Sequence, residues 1–233
     1  MEKRIHVFDN GVRVHDDHLL PSQRERYGAH NVHETEEEDL FVGLVQDLPW
    51  GGVFVDIGSA IGYYLLLAKR LRPDLAVHGV EPLKRHRDQF LDNVALNGQL
   101  PERFTIHEEA ISSSDGVAAF LEEGYGSVLL KRGKRMWRRS VRDVPTITLD
   151  RLVARIGGSL DLCQMDVQGH ELGVLKGCRR SMVAGSITTF LIGTHSPTLH
   201  CGCIDILSDH GYRILHDGYE AGGQPDGILI ASR

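Results

Sequence analysis

One stretch of the sequence, VFVDIGSAIGYYLLLAKRL at residues 53–71, restricts the possible folds of this chain more than any other. It opens with an apolar run that includes two β-branched valines, passes Gly58 and Gly62, and continues as an apolar helical pattern from Leu65. This order is typical of the strand, glycine turn and helix that begin an open α/β sheet. We expect Gly58 to let the backbone turn sharply beside a ligand, because glycine has no Cβ atom. Gly62 is expected where the new helix packs against the strand.

The spacing of this turn indicates which ligand it suits. A dinucleotide fingerprint reads G-x-G-x-x-G, whereas this chain has Ala60 at the second glycine position. Asp56 ends the predicted strand, and a carboxylate there suits a cationic ligand better than a pyrophosphate. A second strand over 77–81 ends in Glu81, 25 positions after Asp56, where an acid can bind both hydroxyls of a ribose. The pattern therefore predicts S-adenosylmethionine as the ligand. The alternatives are a nicotinamide or flavin nucleotide, or a glycine turn that binds nothing.

Length and composition narrow the class of protein. The 233 residues suffice for one α/β domain with an appendage, and we divide them into an N-terminal appendage at 1–50 and a main domain at 51–233. A net charge of −6 argues against bulk nucleic-acid binding. Four cysteines are too few for a disulfide framework and fit a reducing cytosol. Because we find no apolar signal core at the start and no membrane-spanning segment, we expect a cytoplasmic protein with no membrane partner.

The first fifty residues contain a hairpin signal and an acidic helix start. Residues 4–8 and 12–15 alternate on either side of an Asp-Asn-Gly turn. The polar stretch 21–38 contains an acidic run, Glu34 and 36–38, before an amphipathic helix predicted over 39–48. We expect most of these glutamates to be solvated at the helix start, where they complement the helix dipole. The alternative is a lid over the cofactor pocket.

The rest of the chain alternates strands and helices. Further strands are predicted at 103–108, 160–165, 186–193, 212–216 and 227–231, and strands at 117–121 and 144–149 are expected to pair with each other. The alternation predicts a mostly parallel sheet with helices on both faces, whose ligands bind at the carboxyl ends of the strands. The residues expected on that rim are Asp56, Glu81, Glu109, Asp166 and His195, with Glu109 and Ala110 at an adenine pocket.

Several motifs, in this order, resemble the FkbM-type S-adenosylmethionine-dependent methyltransferases. They are Tyr27-Gly28 with the glutamates after it, VFVDIGSAIGYY at 53–64, Val80-Glu81-Pro82, NVALNG at 93–98, Gly126-Ser127, Thr148-Leu149-Asp150 and MDVQGHELGVLKG at 165–177. The last is the most specific, although it carries Gln168 where the family usually has a glutamate. The resemblance implies a Rossmann-like methyltransferase sheet with an antiparallel last strand at 227–231. It also implies methyl transfer to a hydroxyl of a sugar or natural product.

The predicted site has a cofactor-binding part and a catalytic part. The residues predicted to contact S-adenosylmethionine are Asp56, Gly58, Ser59, Gly62, Tyr63, Glu81, Pro82, Glu109, Ala110 and Asp166. An alcohol is a poor nucleophile at neutral pH, so the acceptor needs a base or a metal ion. We assign Asp166 and His195 to orient the acceptor and accept its proton, with Glu171 and His170 nearby. Each residue also has a purely structural alternative. Asp166 could cap a helix, His195 could be a structural histidine whose hydrogen bonds are all made within the protein, and Glu171 could complement the helix dipole at a helix start.

A metal ion is the alternative to a protein base. Asp166 with His195 is a candidate site for a divalent cation, and the group His195, His200, Cys201 and Cys203 is a candidate zinc site. The Cys-x-Cys pair lacks a second spaced pair, however. Burial as small apolar residues at a helix start also explains the two cysteines.

A basic segment is the feature that bears on the acceptor. Seven basic residues fall within the twelve positions 131–142, around Met136 and Trp137. A run of charge is usually a solvated loop. Otherwise it attracts an anionic acceptor such as a phosphorylated or carboxylated sugar, or less readily an RNA. The functions considered are therefore a small-molecule O-methyltransferase first, then an RNA methyltransferase, and then a protein that binds the cofactor without catalysis.

Overall fold

The computed structural model describes residues 4–121, 128–129, 141–219 and 227–233, with the backbone alone at 128–129. Its strands are β1 (Ile5–Val7), β2 (Arg13–His15), β3 (Val53–Ile57), β4 (Ala76–Val80), β5 (Phe104–His107), β6 (Ala110–Ile111), β7 (Gly116–Leu121), β8 (Val128–Leu129), β9 (Val141–Ile147), β10 (Leu160–Met165), β11 (Ile187–Thr194), β12 (Arg213–Gly218) and β13 (Gly227–Ser232). Its α-helices are α1 (Pro21–Ala29), α2 (Thr35–Gln46), α3 (Tyr63–Leu71), α4 (Lys84–Leu96), α5 (Leu149–Arg155), α6 (Glu171–Lys176), α7 (Arg179–Ala184) and α8 (Pro197–Asp209).

A seven-stranded sheet in the order β12-β13-β11-β10-β3-β4-β5 forms the centre of the fold. Neighbouring strands run parallel except β13, which is antiparallel to both β11 and β12. The mostly parallel sheet with an antiparallel last strand is therefore confirmed. Because β4 and β10 flank β3 and connect in opposite directions, a crevice for ligands is expected beside the carboxyl end of β3.

Helices cover both faces of this sheet, since adjacent side chains of a buried strand point to opposite sides. Phe54 of β3 enters a core cluster with residues of α2, α3 and α4, including Phe41 and Phe90. Val55, the next residue, enters a second cluster with residues of α5, α6, α7 and α8, including Leu152 and Val174. The result is a three-layer α/β/α arrangement, in which ligands are expected at the strand ends.

A smaller sheet, in the order β6-β9-β7-β8, follows the third parallel strand. The predicted pairing of its longer strands is confirmed, because β7 and β9 are antiparallel with Ala118 opposite Val144. β6 pairs in parallel with the end of β9. The basic segment of 131–142 lies outside the described residues except for its last two positions. The Gly126-Ser127 motif lies wholly outside them.

The N-terminal hairpin is also confirmed, since β1 and β2 pair antiparallel with His6 opposite Val14. It docks against α4, where the Arg13 backbone N–H donates to Asn97 Oδ1 at 2.9 Å and Asn97 Nδ2 donates to the Arg13 carbonyl at 2.7 Å. Phe8 is buried in the same core cluster as the sheet residue Phe54. The appendage thus shares its hydrophobic core with the sheet, and the domain boundary at residue 50 stays a prediction.

The helices before β3 differ from the sequence prediction. Residues 21–29 form α1, although the sequence predicted only a polar stretch there, and α2 begins at Thr35 rather than at residue 39. Tyr27 is the buried residue of α1, so this helix has no apolar stripe that a sequence pattern could detect. Among the described residues, no helix has the length and apolar character that a membrane crossing requires.

Candidate active site

The turn after β3 depends on Gly58. Its φ is +91°, and a Cβ atom added there would lie 2.1 Å from the carbonyl oxygen of Asp166. The backbone N–H of Asp166 donates to the carbonyl of Ile57 at 3.0 Å, which continues the pairing of β10 with β3 beyond the strand end. Only glycine allows both the left-handed conformation and this approach. The turn therefore brings the end of β3 directly against Asp166.

Gly62 has a different role from the one that the sequence predicted. It caps the N-terminus of α3 with φ +82°, and an added Cβ atom would lie 2.0 Å from Phe90 Cδ2. The close neighbour is thus α4, not the strand. Gly62 is also not among the residues that line the two cavities described next.

An apolar cavity opens beside the carboxyl ends of β3 and β4. Its lining residues are Ile57, Gly58, Ala60, Val80, Glu81, Pro82, His86, Ala110, Ile111, Phe120, Asp166, Val167, Gln168 and His170. Aliphatic and aromatic side chains form most of the wall, and Glu81 is one of its few charged groups. A flat heterocycle with an attached polar ring fits this chemistry.

Glu81 is held firmly at the wall of the apolar cavity. It is buried, and its Oε2 accepts the Ala60 N–H at 3.0 Å while its Oε1 accepts the Leu83 N–H at 2.8 Å. His86 Nδ1 lies 3.4 Å from the same Oε2. An ionised carboxylate oxygen can accept a second hydrogen bond, so the fixed group can still receive ribose hydroxyls.

Glu109 does not reach the apolar cavity, although Ala110 and Pro82 do. Its carboxylate pairs with Arg155, at 2.8 Å to Nη2 and 3.2 Å to Nη1. The hydrogen bonds from Arg155 lower the pKa of Glu109 despite its partial burial. The carboxylate of Glu109 therefore lies against Arg155 of α5, outside the lining of the apolar cavity.

A polar cavity adjoins the first one on the side of α1 and α3. Its lining residues are Gln23, Arg26, His33, Glu34, Asp56, Gly58, Ser59, Ala60, Ile61, Tyr63, Tyr64, Gln164, Asp166 and Gln168. The predicted residues Asp56, Ser59 and Tyr63 are among them. Burial, then the charges of Asp166 and Glu81, raise the pKa of Asp56 to about 8. A cation bound beside Asp56 would therefore draw out its proton and be held by the resulting carboxylate.

The acidic run at the start of α2 corrects one sequence prediction. Glu37 and Glu38 are buried rather than solvated. Glu37 Oε1 accepts a hydrogen bond from Gln164 Nε2 at 2.8 Å, and Glu38 Oε2 accepts one from the Tyr63 hydroxyl at 2.5 Å. Burial, then the charge of Glu34, raises the pKa of Glu37 well above its usual range. The spacing of Glu37 to the buried Phe41 and Val45, four and eight residues on, is the signal that places it on the inner face of the helix.

Two non-glycine residues with left-handed backbone lie where the cavities meet. Ala60 has φ +45° and Gln168 has φ +51°, and both line the apolar and the polar cavity. Such conformations cost about 1–3 kcal/mol each and persist only where the surroundings impose them. Gln168, the departure from the family pattern, donates from Nε2 to Asp166 Oδ1 at 2.8 Å.

The three predicted catalytic side chains are brought together at the carboxyl ends of β10 and β11. His195 Nε2 lies 3.2 Å from Asp166 Oδ1, and His195 Nδ1 lies 2.6 Å from Glu171 Oε1. Glu171 is fully buried and its Oε1 also accepts the Gly169 N–H at 2.9 Å. His195 is thus oriented by a carboxylate on each side.

Asp166 is the member of this group that a ligand can reach. Its side chain is 41% exposed, and it lines both cavities. Partial burial raises the pKa of Asp166, but the hydrogen bond and charge of His195 and the hydrogen bond from Gln168 outweigh it and hold the pKa below its usual range. Asp166 is therefore ionised at neutral pH.

Of the predicted metal candidates, the geometry brings Asp166 and His195 together but does not assemble the zinc group of His195, His200, Cys201 and Cys203. Among the described residues no group of three or more His, Cys, Asp or Glu side chains is arranged to hold a metal ion. His200 Nδ1 pairs with the Thr194 hydroxyl at 2.8 Å and its Nε2 with Asp217 Oδ1 at 2.8 Å, so both ring nitrogens are engaged. Cys203 is buried while Cys201 is exposed.

Sequence reasoning missed most of the N-terminal wall of the polar cavity. Gln23 and Arg26 come from α1, and His33 and Glu34 come from the segment before α2. His33 Nδ1 lies 2.5 Å from the Tyr27 hydroxyl, and burial with the nearby charge of Arg26 lowers its pKa to about 3, so His33 stays neutral. The Tyr27-Gly28 motif was the signal that marked this segment, but it did not indicate which side chains turn inward.

The central sheet has the Rossmann-like fold of methyltransferases, and similar solved structures share it. The chain matches the crystal structure of methyltransferase FkbM from Methylobacillus flagellatus KT with TM-score 0.58 and 16% identity, over 78% of this chain and 43% of that one. It matches a ribosomal protein L11 methylase from Lactobacillus delbrueckii subsp. bulgaricus with TM-score 0.55 and 13% identity, over 87% and 79% of the two chains. At these identities the likeness concerns the fold alone.

The family follows from the sequence comparison. A family model for the methyltransferase FkbM domain matches residues 56–214, more than half of the chain, and the chain belongs to this family. A curated relative named "Putative methyltransferase", from Jannaschia sp. (strain CCS1), is 28% identical over 200 residues, which are 78% of this chain and 68% of the relative. The predicted family is confirmed, and family membership supports S-adenosylmethionine as the cofactor.

Proposed function

We propose that this chain transfers a methyl group from S-adenosylmethionine to a hydroxyl of a sugar or natural-product small molecule. The observation that carries the proposal is the position of Asp166. This ionised carboxylate lines both cavities and lies 3.2 Å from His195, so a proton-accepting pair adjoins the space assigned to the cofactor. Acceptor activation and cofactor binding thereby share one side chain.

The residues present fit the cofactor. The apolar wall of Val80, Pro82 and Ile111 suits an adenine ring, and Glu81 lies on the same wall for the ribose. Asp56 in the polar cavity suits an ammonium group. When bound, S-adenosylmethionine supplies a methyl group on a positively charged sulfur that is a good leaving group, so the protein mainly aligns donor and acceptor.

The work of the protein is to hold the acceptor hydroxyl and take its proton. Asp166 accepts a hydrogen bond from that hydroxyl and so orients the oxygen. Glu171 accepts the Nδ1 proton of His195, which directs Nε2 toward Asp166. As the oxygen attacks, the hydroxyl proton passes to Asp166 and from there to Nε2 of His195, and the resulting imidazolium lies between two carboxylates that stabilise it.

The charges that line the polar cavity indicate which acceptor it suits. The carboxylates of Glu34 and Asp166 outnumber the one guanidinium, that of Arg26, among the described residues that line the polar cavity, and this balance favours a neutral, hydroxyl-rich acceptor. The support for an anionic acceptor is the basic segment of 131–142, most of which lies outside the described residues. We therefore place uncharged sugars first and phosphorylated or carboxylated sugars second.

Calorimetric titration with S-adenosylhomocysteine tests the cofactor assignment, with NAD as the control ligand. We expect micromolar binding of S-adenosylhomocysteine, at least tenfold weaker binding in Glu81→Ala, and no binding of NAD. Preference for NAD, or no binding of either ligand, would overturn the proposal.

A methyl-transfer assay over a panel of acceptors tests the reaction. The panel contains neutral sugars, phosphorylated and carboxylated sugars, and a structured RNA, each with radiolabelled donor. We expect label on a sugar hydroxyl and its loss in Asp166→Asn. Label on the RNA alone would replace the small-molecule acceptor by a nucleic acid, and a protein that binds the cofactor but labels nothing would be a binding protein.

A further inference from the structure

The polar cavity combines charges of both signs on opposite walls. The sheet supplies the acid Asp56 at the end of β3 and Asp166 after β10. Among the described residues that line this cavity, Arg26 of α1 is the one with a permanent positive charge. A cavity with acids on one wall and a guanidinium on the other is complementary to an α-amino acid, which carries an ammonium and a carboxylate on one carbon.

Among the described residues, the guanidinium of Arg26 makes a long ion pair with a carboxylate rather than a close one. Its Nη2 lies 3.9 Å from Glu34 Oε1 and 3.5 Å from the Tyr27 hydroxyl, and the group lies over the Tyr27 ring at 5.3 Å from the centroid. Arg24, two residues earlier, instead makes a 2.9 Å ion pair with Asp16 and also donates to the Leu19 carbonyl. The stacked guanidinium of Arg26 is oriented without being engaged in a bidentate pair.

Gln23 adds a second donor on the same face of α1, because it lies three residues before Arg26. Its Oε1 accepts the Leu20 N–H at 2.9 Å and thereby caps the helix. With the amide oxygen used in this way, the group that Gln23 offers to the cavity is its NH₂ donor. Two donors, one of them charged, therefore face the acids of the sheet edge across the same cavity.

We infer that Arg26, with Gln23 beside it, binds the α-carboxylate of the amino acid portion of the cofactor. This inference rests on the proposed function, since it assumes S-adenosylmethionine in the two cavities. The adenosine portion then occupies the apolar cavity, and the ammonium group faces Asp56. The carboxylate is held by a helix that lies ahead of the region matched by the family model at 56–214.

Paired ligands that differ only in the amino acid portion isolate this contact. S-adenosylhomocysteine carries the α-carboxylate and α-ammonium, whereas 5′-methylthioadenosine has the same adenosine and sulfur without them. Both are titrated by calorimetry into the wild-type protein, Arg26→Ala, Arg26→Lys and the matched control Arg24→Ala, which changes a charged residue of the same helix outside the cavity lining. Thermal unfolding of each variant checks that α1 remains folded.

We expect Arg26→Ala to weaken S-adenosylhomocysteine by about tenfold or more and 5′-methylthioadenosine by less than about twofold, because charged hydrogen bonds are among the stronger ones. Arg26→Lys should fall between, since it keeps the charge but loses the bidentate geometry. Arg24→Ala should change both affinities by less than about twofold.

Two results would overturn the inference and leave the cofactor assignment intact. One is equal weakening of both ligands by Arg26→Ala. The other is no weakening of either, which would assign the carboxylate to the N–H groups at the start of α3 instead. Failure of the wild-type protein to bind either ligand would overturn the proposed function as well.

Discussion

The two cavities of the site are built from different parts of the chain. Every residue that lines the apolar cavity lies between Ile57 and His170, inside the range 56–214 matched by the family model. The polar cavity takes part of its wall from residues 23–34, which precede that range. The family region thus supplies the wall of the apolar cavity by itself, whereas the wall of the polar cavity is completed by the N-terminal helix and the segment after it.

This difference has a physical basis. The apolar cavity depends on strand ends whose positions are fixed by the hydrogen-bond register of the sheet. The N-terminal wall depends on side-chain contacts, such as Glu38 with Tyr63 and Tyr27 with His33. Segments that connect and flank a sheet change more readily than its strands, so specificity is expected to vary on the polar side.

The largest expected effect comes from a substitution at Gly58, which lines both cavities. Gly58→Ala places a Cβ atom 2.1 Å from the Asp166 carbonyl in a left-handed conformation, so the turn must shift away from β10. We expect a melting temperature about 10 °C lower and S-adenosylhomocysteine affinity reduced by about a hundredfold, measured by calorimetry.

Gly98→Ala is the matched control for that variant. Gly98 has φ +64° but no atom within 4 Å of an added Cβ, so it tests strain without the clash. It should cost about 1 kcal/mol of unfolding free energy and leave ligand affinity unchanged. Equal effects of the two substitutions would show that close packing at Gly58 is unimportant.

The second effect concerns turnover rather than binding. His195→Ala removes the proposed proton acceptor and should lower kcat by about a hundredfold, while Glu171→Gln, which removes the charge that orients His195, should lower it by about tenfold. Both variants should bind S-adenosylhomocysteine like the wild type, since neither residue lines the cavities. Unchanged turnover in both would remove His195 from the mechanism.

The third effect, that of Asp56→Asn, is expected to raise stability but weaken ligand binding. Between about pH 4 and pH 8 folded Asp56 keeps a proton that the unfolded chain has lost, so the stability of the ligand-free protein falls as the pH rises through this window. Asp56→Asn removes this cost. Its melting temperature should exceed that of the wild type by about 5 °C at pH 8, with the difference vanishing toward pH 4.

The same variant should bind S-adenosylhomocysteine about tenfold more weakly at pH 8, because the ammonium group loses its carboxylate partner. Differential scanning fluorimetry at several pH values and calorimetry provide the two measurements. A melting-temperature difference that does not depend on pH would contradict the raised pKa of Asp56.

The smallest effect is expected for Glu109, a residue close to the apolar cavity in sequence but outside its lining. Glu109 pairs with Arg155 and lies outside the cavity lining, so Glu109→Gln should change S-adenosylhomocysteine affinity by less than about twofold. Its effect on stability should also be small, as for other partly exposed ion pairs. A loss of S-adenosylhomocysteine affinity as large as that of Glu81→Ala would indicate that Glu109 contacts the adenine after all.

The central sheet could be predicted because its signals are local. The order of strands and helices can be inferred from the glycine turn, the strand-end acids and the alternation of the two patterns. The rules for parallel sheets then place Asp56, Glu81 and Asp166 at one edge of the sheet. The convergence of Asp166 and His195 follows in the same way, since β10 and β11 are adjacent.

What the sequence did not predict depends on contacts between distant residues. Glu109 is turned aside by Arg155, 46 positions later, and Glu37 is held inside by Gln164, 127 positions later. Helix α1 buries Tyr27 in the core and has no apolar stripe. Such long-range partners leave no periodic pattern in the sequence.

The position of β13 has a consequence for how the protein is made. β13 follows β12 in the chain but lies between β11 and β12 in the sheet, and β12 pairs with no other described strand. As the chain leaves the ribosome, β11 and β12 therefore have exposed edges until residues 227–232 have emerged. A nascent chain stalled before Gly227 would present two unpaired strands, which makes it a client for chaperones and prone to aggregation.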